Sequence, residues 1–172
     1  MVQQGAWLEP TLITEDFVVN AAIYRDSWAS RKIGGSFGLM QAGFPKPSGP
    51  ALEEYREAVG RMKDFVRRFH AAGGTITTGT DCLPWCGYGL PDELRLLVDA
   101  GLTPAAALRA ATIDGARVLR WQDRRRIAPN LTADLVVLDG NPLQDIGNVR
   151  LVHAVLVNGR YLDRTTLDGL LK

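Results

Sequence analysis

A long amphipathic helix that leads directly into a short strand constrains the fold of this chain more than any other feature. From Ala51 to Ala72, apolar side chains recur every three or four residues with charged side chains opposite, which predicts a helix with one buried face. Gly73 and Gly74 predict its end, and the β-branched, glycine-punctuated stretch from Thr75 to Asp81 (TITTGTD) predicts a buried strand. A helix joined so closely to a strand is the building unit of an α/β fold. The predicted apolar face consists of Leu52, Tyr55, Val59, Met62, Phe65, Val66 and Phe69.

Asp81 places a carboxylate where the predicted strand ends. In a barrel of alternating strands and helices, the loops that follow the strands form the active site, whereas the opposite rim serves stability. Asp81 is therefore the first candidate for a catalytic residue. An Asp that follows Gly-Thr also commonly forms a turn or caps a helix, so the residues alone leave this second interpretation open.

The composition is that of a globular protein. With 172 residues, 46% of them hydrophobic, the chain can form one substantial core or two small ones. A formal net charge of +1 gives no field that would steer the chain to nucleic acid or to an acidic membrane, and the basic run from Arg124 to Arg126 is expected to be a solvated loop. No apolar run approaches the ~20 residues of a membrane span, and the N-terminus lacks a signal-peptide pattern. We therefore expect a cytoplasmic protein without nucleic-acid or membrane partners.

The sequence before the long helix gives weaker signals. Ala6 to Ile13 (AWLEPTLI) is apolar and predicts a strand that bends or ends at Pro10. From Thr14 to Pro50, glycine and proline predict a long loop of the kind that forms lids or binding loops, with one short helix around Ala21 to Trp28.

Two helices are predicted after Asp81. The first runs from Pro91 to Ala100, and Asp92 and Glu93 are expected to favour its positive N-terminal end rather than to take part in chemistry. The second runs from Thr103-Pro104, because Thr caps a helix and Pro suits its first position, and continues with a break to Leu119.

The C-terminal part of the chain changes to β-structure. Ala133 to Asp139 and His153 to Val157 are β-branched runs, and Asn158-Gly159 is a strong signal for a two-residue hairpin turn. Thr166 to Leu171 predicts a closing helical turn. A small β module therefore follows the α/β part.

The cysteines and histidines favour structural roles. Cys82 and Cys86 lack the second pair of ligands that a structural zinc site requires, so they are expected to be reduced thiols. His70 falls in the last turn of the long helix, where the helix dipole favours a cation. His153 falls in a strand at a position that is expected to be exposed.

Four segments are informative in combination. They are TGTD (Thr78 to Asp81), ELRLLVDAGLTPAAALRAATIDGA (Glu93 to Ala116), ADLVVLDGNPLQDI (Ala133 to Ile146) and VLVNGR (Val155 to Arg160). Their order resembles the C-terminal part of the metal-dependent amidohydrolases, and most closely the imidazolonepropionase-like branch of the amidohydrolase superfamily, which hydrolyses carbon–nitrogen bonds other than ordinary peptide bonds. The resemblance is strong from Thr75 to the end and weaker from Gly5 to Ala72.

The resemblance implies an α/β fold that combines a (β/α)8 barrel of the TIM type with a small β-sandwich. Because a complete barrel needs ~250 residues, the chain would supply only the last two βα units. Ala6 to Ile13 would be the seventh strand, Ala51 to Ala72 its helix, and Thr75 to Gly79 the eighth strand. Residues 1–120 would form the C-terminal portion of the barrel, and residues 121–172 part of a composite β-sandwich domain.

The resemblance also implies a divalent metal cofactor, often zinc, with one or two ions at the C-terminal rim of the barrel. The ligands of the family are a His-x-His pair on the first strand, usually a Lys on the fourth, His residues on the fifth and sixth, and an Asp that ends the eighth. Asp81 matches that Asp, and would be both a metal ligand and the catalytic group that orients the attacking water and shuttles its proton.

Two loops would flank a substrate in such an enzyme, Gly34 to Pro50 and Cys82 to Leu90. Trp85 and Tyr88 are therefore candidate substrate-binding residues. An equally open interpretation is that both aromatic rings anchor the loop by packing on the rim.

The other metal ligands of the family are missing from this sequence. It contains two histidines, neither of them in a His-x-His pair, whereas a catalytic zinc normally takes three protein ligands. We therefore expect the isolated chain to bind metal poorly and to be inactive, and Met1 to be an internal methionine of a longer protein.

Two functions remain open. The first is an enzyme fragment that hydrolyses a small molecule with an amide, lactam or cyclic C–N bond when it belongs to a longer protein, a homo-oligomer or a complex with a complementing N-terminal chain. The second is a non-catalytic partial-barrel module for assembly or ligand binding. Unpaired edges of the strands at Ala6 and Thr75 also predict a tendency to associate.

Overall fold

A computed structural model describes residues 2–21, 24, 43–81, 87–124 and 126–170. The first half contains, after a 3-10 turn at Val2–Gln4, strand β1 (Trp7–Leu8), helix α1 (Leu12–Val19), helix α2 (Pro50–Ala71) and strand β2 (Thr75–Ile76). Next come helix α3 (Leu90–Asp99), helix α4 (Pro104–Arg109), a π-helical turn (Ala110–Asp114) and helix α5 (Gly115–Val118). The last part contains β3 (Leu135–Leu138), a 3-10 turn (Ile146–Arg150), β4 (Val152–Val157), β5 (Arg160–Leu162) and helix α6 (Arg164–Gly169).

The long helix and its glycine stop are confirmed by α2. The Gly73 N–H donates to the His70 carbonyl and the Gly74 N–H donates to the Phe69 carbonyl, both at 2.9 Å, and Gly73 has a φ of +83°. This is the usual way in which glycine closes a helix. On the predicted apolar face, Val59, Val66 and Phe69 are buried. The prediction is wrong for Phe65, whose side chain stacks on Phe69 but is 42% exposed.

Strands β1 and β2 form a parallel pair. Trp7 lies opposite Thr75 and Leu8 opposite Ile76, and the Thr77 N–H continues the ladder by donating to the Leu8 carbonyl at 2.9 Å. Both strands are shorter than predicted. The interruption predicted at Pro10 is confirmed, because β1 ends at Leu8, but the continuation to Ile13 is wrong, because a helix starts at Leu12.

Helix α1 was not predicted, and the loop expected from Thr14 to Pro50 is wrong at its start. The helix buries Leu12, Ile13, Asp16, Phe17 and Val18. A helix that is buried on most sides has no alternation of polar and apolar faces to detect in the sequence. The short helix predicted around Ala21 to Trp28 lies largely outside the described residues.

The helices after β2 are confirmed. The Thr103 hydroxyl accepts a hydrogen bond from the Ala106 N–H at 3.2 Å, and Pro104 occupies the first turn of α4. The predicted break is the π-helical turn at Ala110–Asp114. Leu94, Leu96 and Leu97 of α3 join α1, α2 and β2 in the core, as does Ile146 from the C-terminal part.

The C-terminal strands form an antiparallel sheet in the order β3-β4-β5. The Asn158-Gly159 turn is confirmed, with φ values of +50° and +78° that suit a two-residue hairpin. Helix α6 begins slightly earlier than predicted, because the Asp163 side chain caps it at 2.8 Å from the Thr166 N–H. Val136, Val157 and Tyr161 remain exposed on this sheet.

Arg124 behaves as expected for a solvated basic loop. It forms ion pairs with Asp123 and Asp134, each at 3.0 Å, and its guanidinium lies 5.5 Å from the centre of the Trp121 ring. Within the described ranges, no helix combines the length and the apolar character that crossing a membrane requires.

Candidate active site at the ends of β1 and β2

The parallel pairing of β1 and β2 brings the segments that follow both strands to the same edge. Asp81 belongs to the segment after β2, where its side chain is exposed and its backbone has a φ of +45°. Thr11 in the segment after β1 has a similar left-handed backbone, with a φ of +48°. Both segments therefore turn sharply as they leave their strands.

The two segments touch at Gly79. A Cβ atom on Gly79 would lie 2.6 Å from Glu9 Oε1 and 2.7 Å from Thr11 Oγ1, so only glycine fits without a shift of its neighbours. Glu9 is thus a second carboxylate at the edge where Asp81 lies, and it too is exposed. Glu9 was not singled out from the sequence, although a strand that ends at Pro10 marks Glu9 by the same criterion that marked Asp81.

A small pocket opens beside Asp81. Phe17 forms its aromatic wall, with ring centres 5.5 Å from Tyr24 and 5.1 Å from Phe44 in edge-to-face geometry. The pocket combines apolar walls with a carboxylate, but its volume of about 10 Å³ is no more than one water molecule needs, so the described residues form only a part of any substrate site. Its lining residues are Ile13, Thr14, Phe17, Tyr24, Phe44, Thr80 and Asp81.

A buried carboxylate holds Tyr24 in this wall. The Tyr24 hydroxyl donates to Asp16 Oδ2 at 2.6 Å, and Asn20 Nδ2 donates to Asp16 Oδ1 at 2.9 Å. Arg95 Nη2 of α3 lies 3.4 Å from Asp16 Oδ2. Burial and the hydrogen bond to Asp16 raise the pKa of Tyr24 far above its ordinary value. The phenol therefore stays protonated and keeps donating its hydrogen bond to Asp16.

From the sequence, Glu93 was expected to act at the N-terminal end of its own helix. In the structure its side chain reaches a different helix. Its side chain is fully buried, and Oε2 accepts a hydrogen bond from the Ile13 N–H at 2.9 Å. Burial raises the pKa of Glu93 to about 7, although the N–H groups of Ile13 and Leu12 lower it in part. Asp92 is half-buried and pairs with Arg150 Nη2 at 2.7 Å.

Several other predicted residues lie away from this pocket or outside the described ranges. Tyr88 is half-buried and does not line the pocket, and its substrate-binding role stays a prediction. Trp85, Cys82 and Cys86 lie outside the described residues, as does most of the predicted loop that ends at Pro50.

The residues that the structure describes do not complete a metal site. Among them, no group of three or more His, Cys, Asp or Glu side chains is arranged to hold a metal ion. His70 is exposed on α2, and His153 Nδ1 pairs with Asp139 Oδ1 at 2.9 Å on the C-terminal sheet. Asp81 can offer one carboxylate, whereas a catalytic zinc takes three protein ligands.

Fold and site together define a class of protein. Parallel strands that end beside a pocket with an exposed carboxylate are typical of the active-site rim of α/β barrel enzymes. Comparison with known families gives the particular member of that class: the model of the amidohydrolase family matches residues 1–162. The chain belongs to the amidohydrolase family.

Its curated relatives include imidazolonepropionases. The chain is 43% identical to the imidazolonepropionase of Streptomyces griseus over 77 residues, which are 43% of this chain and 20% of that protein. It is 36% identical to the imidazolonepropionase of Salinispora tropica over 100 residues, which are 55% of this chain and 26% of that protein. The matched region thus spans about a fifth to a quarter of the length of these relatives.

Solved structures agree over nearly the whole chain. A Xaa-Pro dipeptidase with methionine bound in its active site has a TM-score of 0.68 at 24% identity, covering 95% of this chain and 36% of that one. A prolidase in complex with N-methylphosphonate-L-proline has a TM-score of 0.67 at 29% identity, covering 94% and 36%. A molinate hydrolase has a TM-score of 0.53 at 26% identity, covering 78% and 30%. The fold is therefore α/β of the TIM-barrel type.

Proposed function

We propose that this chain forms the C-terminal part of a hydrolase that cleaves non-peptide carbon–nitrogen bonds, with Asp81 as its catalytic carboxylate. The observation that carries the proposal is the position of Asp81 after β2, beside an apolar pocket, in a chain whose family match runs from residue 1 to residue 162.

Asp81 has the access that a proton shuttle requires. Its side chain is exposed, and it lines the pocket together with Thr80 and Ile13. A carboxylate at this point accepts a proton from the attacking water and returns it to the leaving nitrogen, which general acid–base catalysis requires within hydrogen-bond reach.

The cofactor in this proposal is one or two divalent metal ions, with zinc as the first metal to test and Asp81 supplying one ligand. A bound metal would make hydroxide available at neutral pH and polarise the scissile carbonyl. The described residues do not complete the site, and in this proposal the other ligands come from additional sequence, from a second copy of the chain or from a complementing N-terminal chain.

The proposed organisation follows from the same resemblance. Residues 1–120 contribute the last two βα units of the barrel, and residues 121–172 contribute part of a composite β-sandwich. The exposed Val136 and Val157 support this division, because the strand register places both on one face of the sheet and an apolar face favours a covering layer. The substrate is a small molecule with an amide, lactam or cyclic C–N bond, which the name of the relative imidazolonepropionase supports.

The test compares the isolated chain with a form extended upstream in the gene until it includes a His-x-His pair. Both are assayed for hydrolysis of imidazolone propionate, and of Xaa-Pro dipeptides as the peptide-bond comparison, with added Zn²⁺ and with chelator. We expect no turnover by the 172-residue chain and chelator-sensitive turnover by the extended form. Asp81→Asn should abolish that turnover, whereas Asp139→Asn, a matched change on the C-terminal sheet, should leave it intact.

Turnover that survives Asp81→Asn would contradict the proposal, as would an extended form that is inactive on every C–N substrate. The second candidate function is a non-catalytic module for assembly. It is favoured by an open apolar groove between β1 and α2, lined by Leu8, Pro10, Leu12, Met62 and Phe65. A stable complex of the 172-residue chain, combined with an inactive extended form, would favour that alternative.

A further inference from the structure

Helix α1 begins without a cap of its own. Thr11 at its start has a left-handed backbone, and its side chain makes no capping hydrogen bond. The first N–H groups of a helix have no partner within the helix, so a start without a local cap needs acceptors from elsewhere. Here the acceptor comes from a residue 80 positions away in the chain.

Glu93 supplies that acceptor from the first turn of α3. Its Oε2 accepts from the Ile13 N–H at 2.9 Å, and the Leu12 N–H also contributes to holding the carboxylate. Both N–H groups belong to the first turn of α1, where the helix dipole favours negative charge. One carboxylate therefore fixes where α1 starts.

The position of Glu93 is costly for a residue with only a structural role. Its side chain is fully buried, and Oε1 has no hydrogen-bond partner among the described residues. Burial of a carboxylate is unfavourable unless its oxygens are well paired. Glu9, in the segment after β1, and Asp16, on α1, add two further negative charges that face it. Asp16 in turn is paired with Arg95 from α3.

The turn that Glu93 fixes is part of the pocket beside Asp81. Ile13 and Thr14 line that pocket from one side, and Thr80 and Asp81 line it from the other. Glu93 itself does not line it. A displacement of the first turn of α1 would therefore change the width of the pocket at the carboxylate without removing any group that touches a substrate.

We propose that Glu93 is a positioning residue, which sets the distance between the first turn of α1 and Asp81 and thereby the width of the pocket at its reactive end. The inference rests on the proposed function for what the pocket binds, but its test reads the geometry of the pocket and needs no turnover. A failed activity assay and a failed positioning test can therefore be told apart.

The test is an amide NMR titration of the ¹⁵N-labelled 172-residue chain between pH 5 and about 8.5, a window chosen because burial raises the pKa of Glu93 to about 7. As Glu93 loses its proton, the Ile13 and Thr14 amides should shift with a midpoint near 7. Under the proposal, Thr80 and Asp81 shift with the same midpoint, although they make no hydrogen bond to Glu93.

Glu93→Gln should remove this shared transition from all four amides, because the amide side chain keeps the shape but cannot titrate. Glu54→Gln, an identical change at an exposed position of α2, should leave the transition in place. His70 and His153 are unchanged in both variants, so comparison of the two variants isolates the signal that comes from Glu93. A transition that persists in Glu93→Gln, or one confined to Ile13 and Thr14, would overturn the proposal.

A second measurement covers the case in which the titration is obscured. In Glu93→Ala, hydrogen exchange of the Ile13 amide should accelerate by about tenfold or more, because its acceptor is lost. The Val66 amide in the middle of α2 should keep its protection. Equal acceleration at both positions would mean that Glu93 serves only overall stability, which would overturn the positioning role.

Discussion

Gly79 and Glu9 approach each other so closely that a Cβ atom on the glycine would lie 2.6 Å from the Glu9 carboxylate oxygen. The same atom would lie 2.7 Å from Thr11 Oγ1, and the short Thr11 side chain cannot move far enough to relieve the overlap. We expect Gly79→Ala to destabilise the chain by about 1–2 kcal/mol through this overlap, measured by urea denaturation.

The matched control for that prediction is Gly60→Ala. Gly60 lies within α2, and a Cβ atom there would meet nothing within 4 Å. Alanine should stabilise the helix at this position by about 0.5–1 kcal/mol. If both substitutions shift the denaturation midpoint in the same direction, the close contact of the two segments is incorrect.

Because the pKa of Glu93 is raised, we expect the free energy of unfolding to depend on pH. Its pKa is raised from 4.5 to about 7 in the folded chain, so the folded state holds its proton more tightly than the unfolded state. The contribution is fully present below pH ~4.5 and is lost as the pH rises through about 7. With about 1.4 kcal/mol for each of the roughly 2.5 pKa units, the loss amounts to at most about 3.5 kcal/mol.

Chemical denaturation at pH 5 and pH 8 measures this difference, and Glu93→Gln should make the two free energies of unfolding nearly equal. The exposed Asp123 and Asp163 act in another window, because hydrogen bonds lower their pKa and their contribution disappears only in acid. A wild-type chain that is more stable at pH 8 than at pH 5 would refute the prediction.

The hydrogen bond from Tyr24 to the buried carboxylate of Asp16 is expected to contribute to the free energy of unfolding. Tyr24→Phe removes the 2.6 Å hydrogen bond and leaves Asp16 with Asn20 and Arg95. We expect a loss of about 1–2 kcal/mol in the free energy of unfolding, because a buried acceptor loses one partner. Tyr161→Phe, the same change at an exposed ring, should have almost no effect, and equal losses would count against the buried network.

The ion pair between Asp92 and Arg150 links the C-terminal part to α3, and we expect it to contribute to the free energy of unfolding. Their 2.7 Å ion pair joins α3 to the 3-10 turn that places Ile146 in the core. A double-mutant cycle with Asp92→Asn and Arg150→Met should give a coupling energy of about 0.5–1 kcal/mol, as expected for a partly exposed pair. Because such pairs are screened by salt, the coupling should fall when the cycle is repeated in high salt, and a coupling of zero in low salt would contradict the contact.

The elements that could be predicted from the sequence are those whose signals are local. The start of α4 follows from Thr103-Pro104, the end of α2 from Gly73-Gly74, and the hairpin from Asn158-Gly159. In each case neighbouring residues supply the hydrogen bonds or the backbone conformation. The same holds for Asp81, whose place after a strand was read from seven residues of sequence.

The elements that could not be predicted depend on distant partners. Helix α1 takes its cap from Glu93 and its buried charge partner from Arg95, both on α3. No pattern within α1 signals either contact, since its β-branched and apolar residues equally suit a strand. For the same reason Glu93 was assigned to its own helix end, because a sequence shows which helix a residue belongs to but not which helix its side chain reaches.

The joint between α2 and β2 consists of Ala72, Gly73 and Gly74 alone. A connection of three residues cannot absorb an extra residue without moving the strand. The end of the helix therefore fixes which side of the strand each later residue occupies. Insertion of one residue before Thr75 would exchange the inward and outward sides of the strand. Thr77 would then turn outwards, and an insertion of an odd number of residues at this joint would invert the site rather than loosen it.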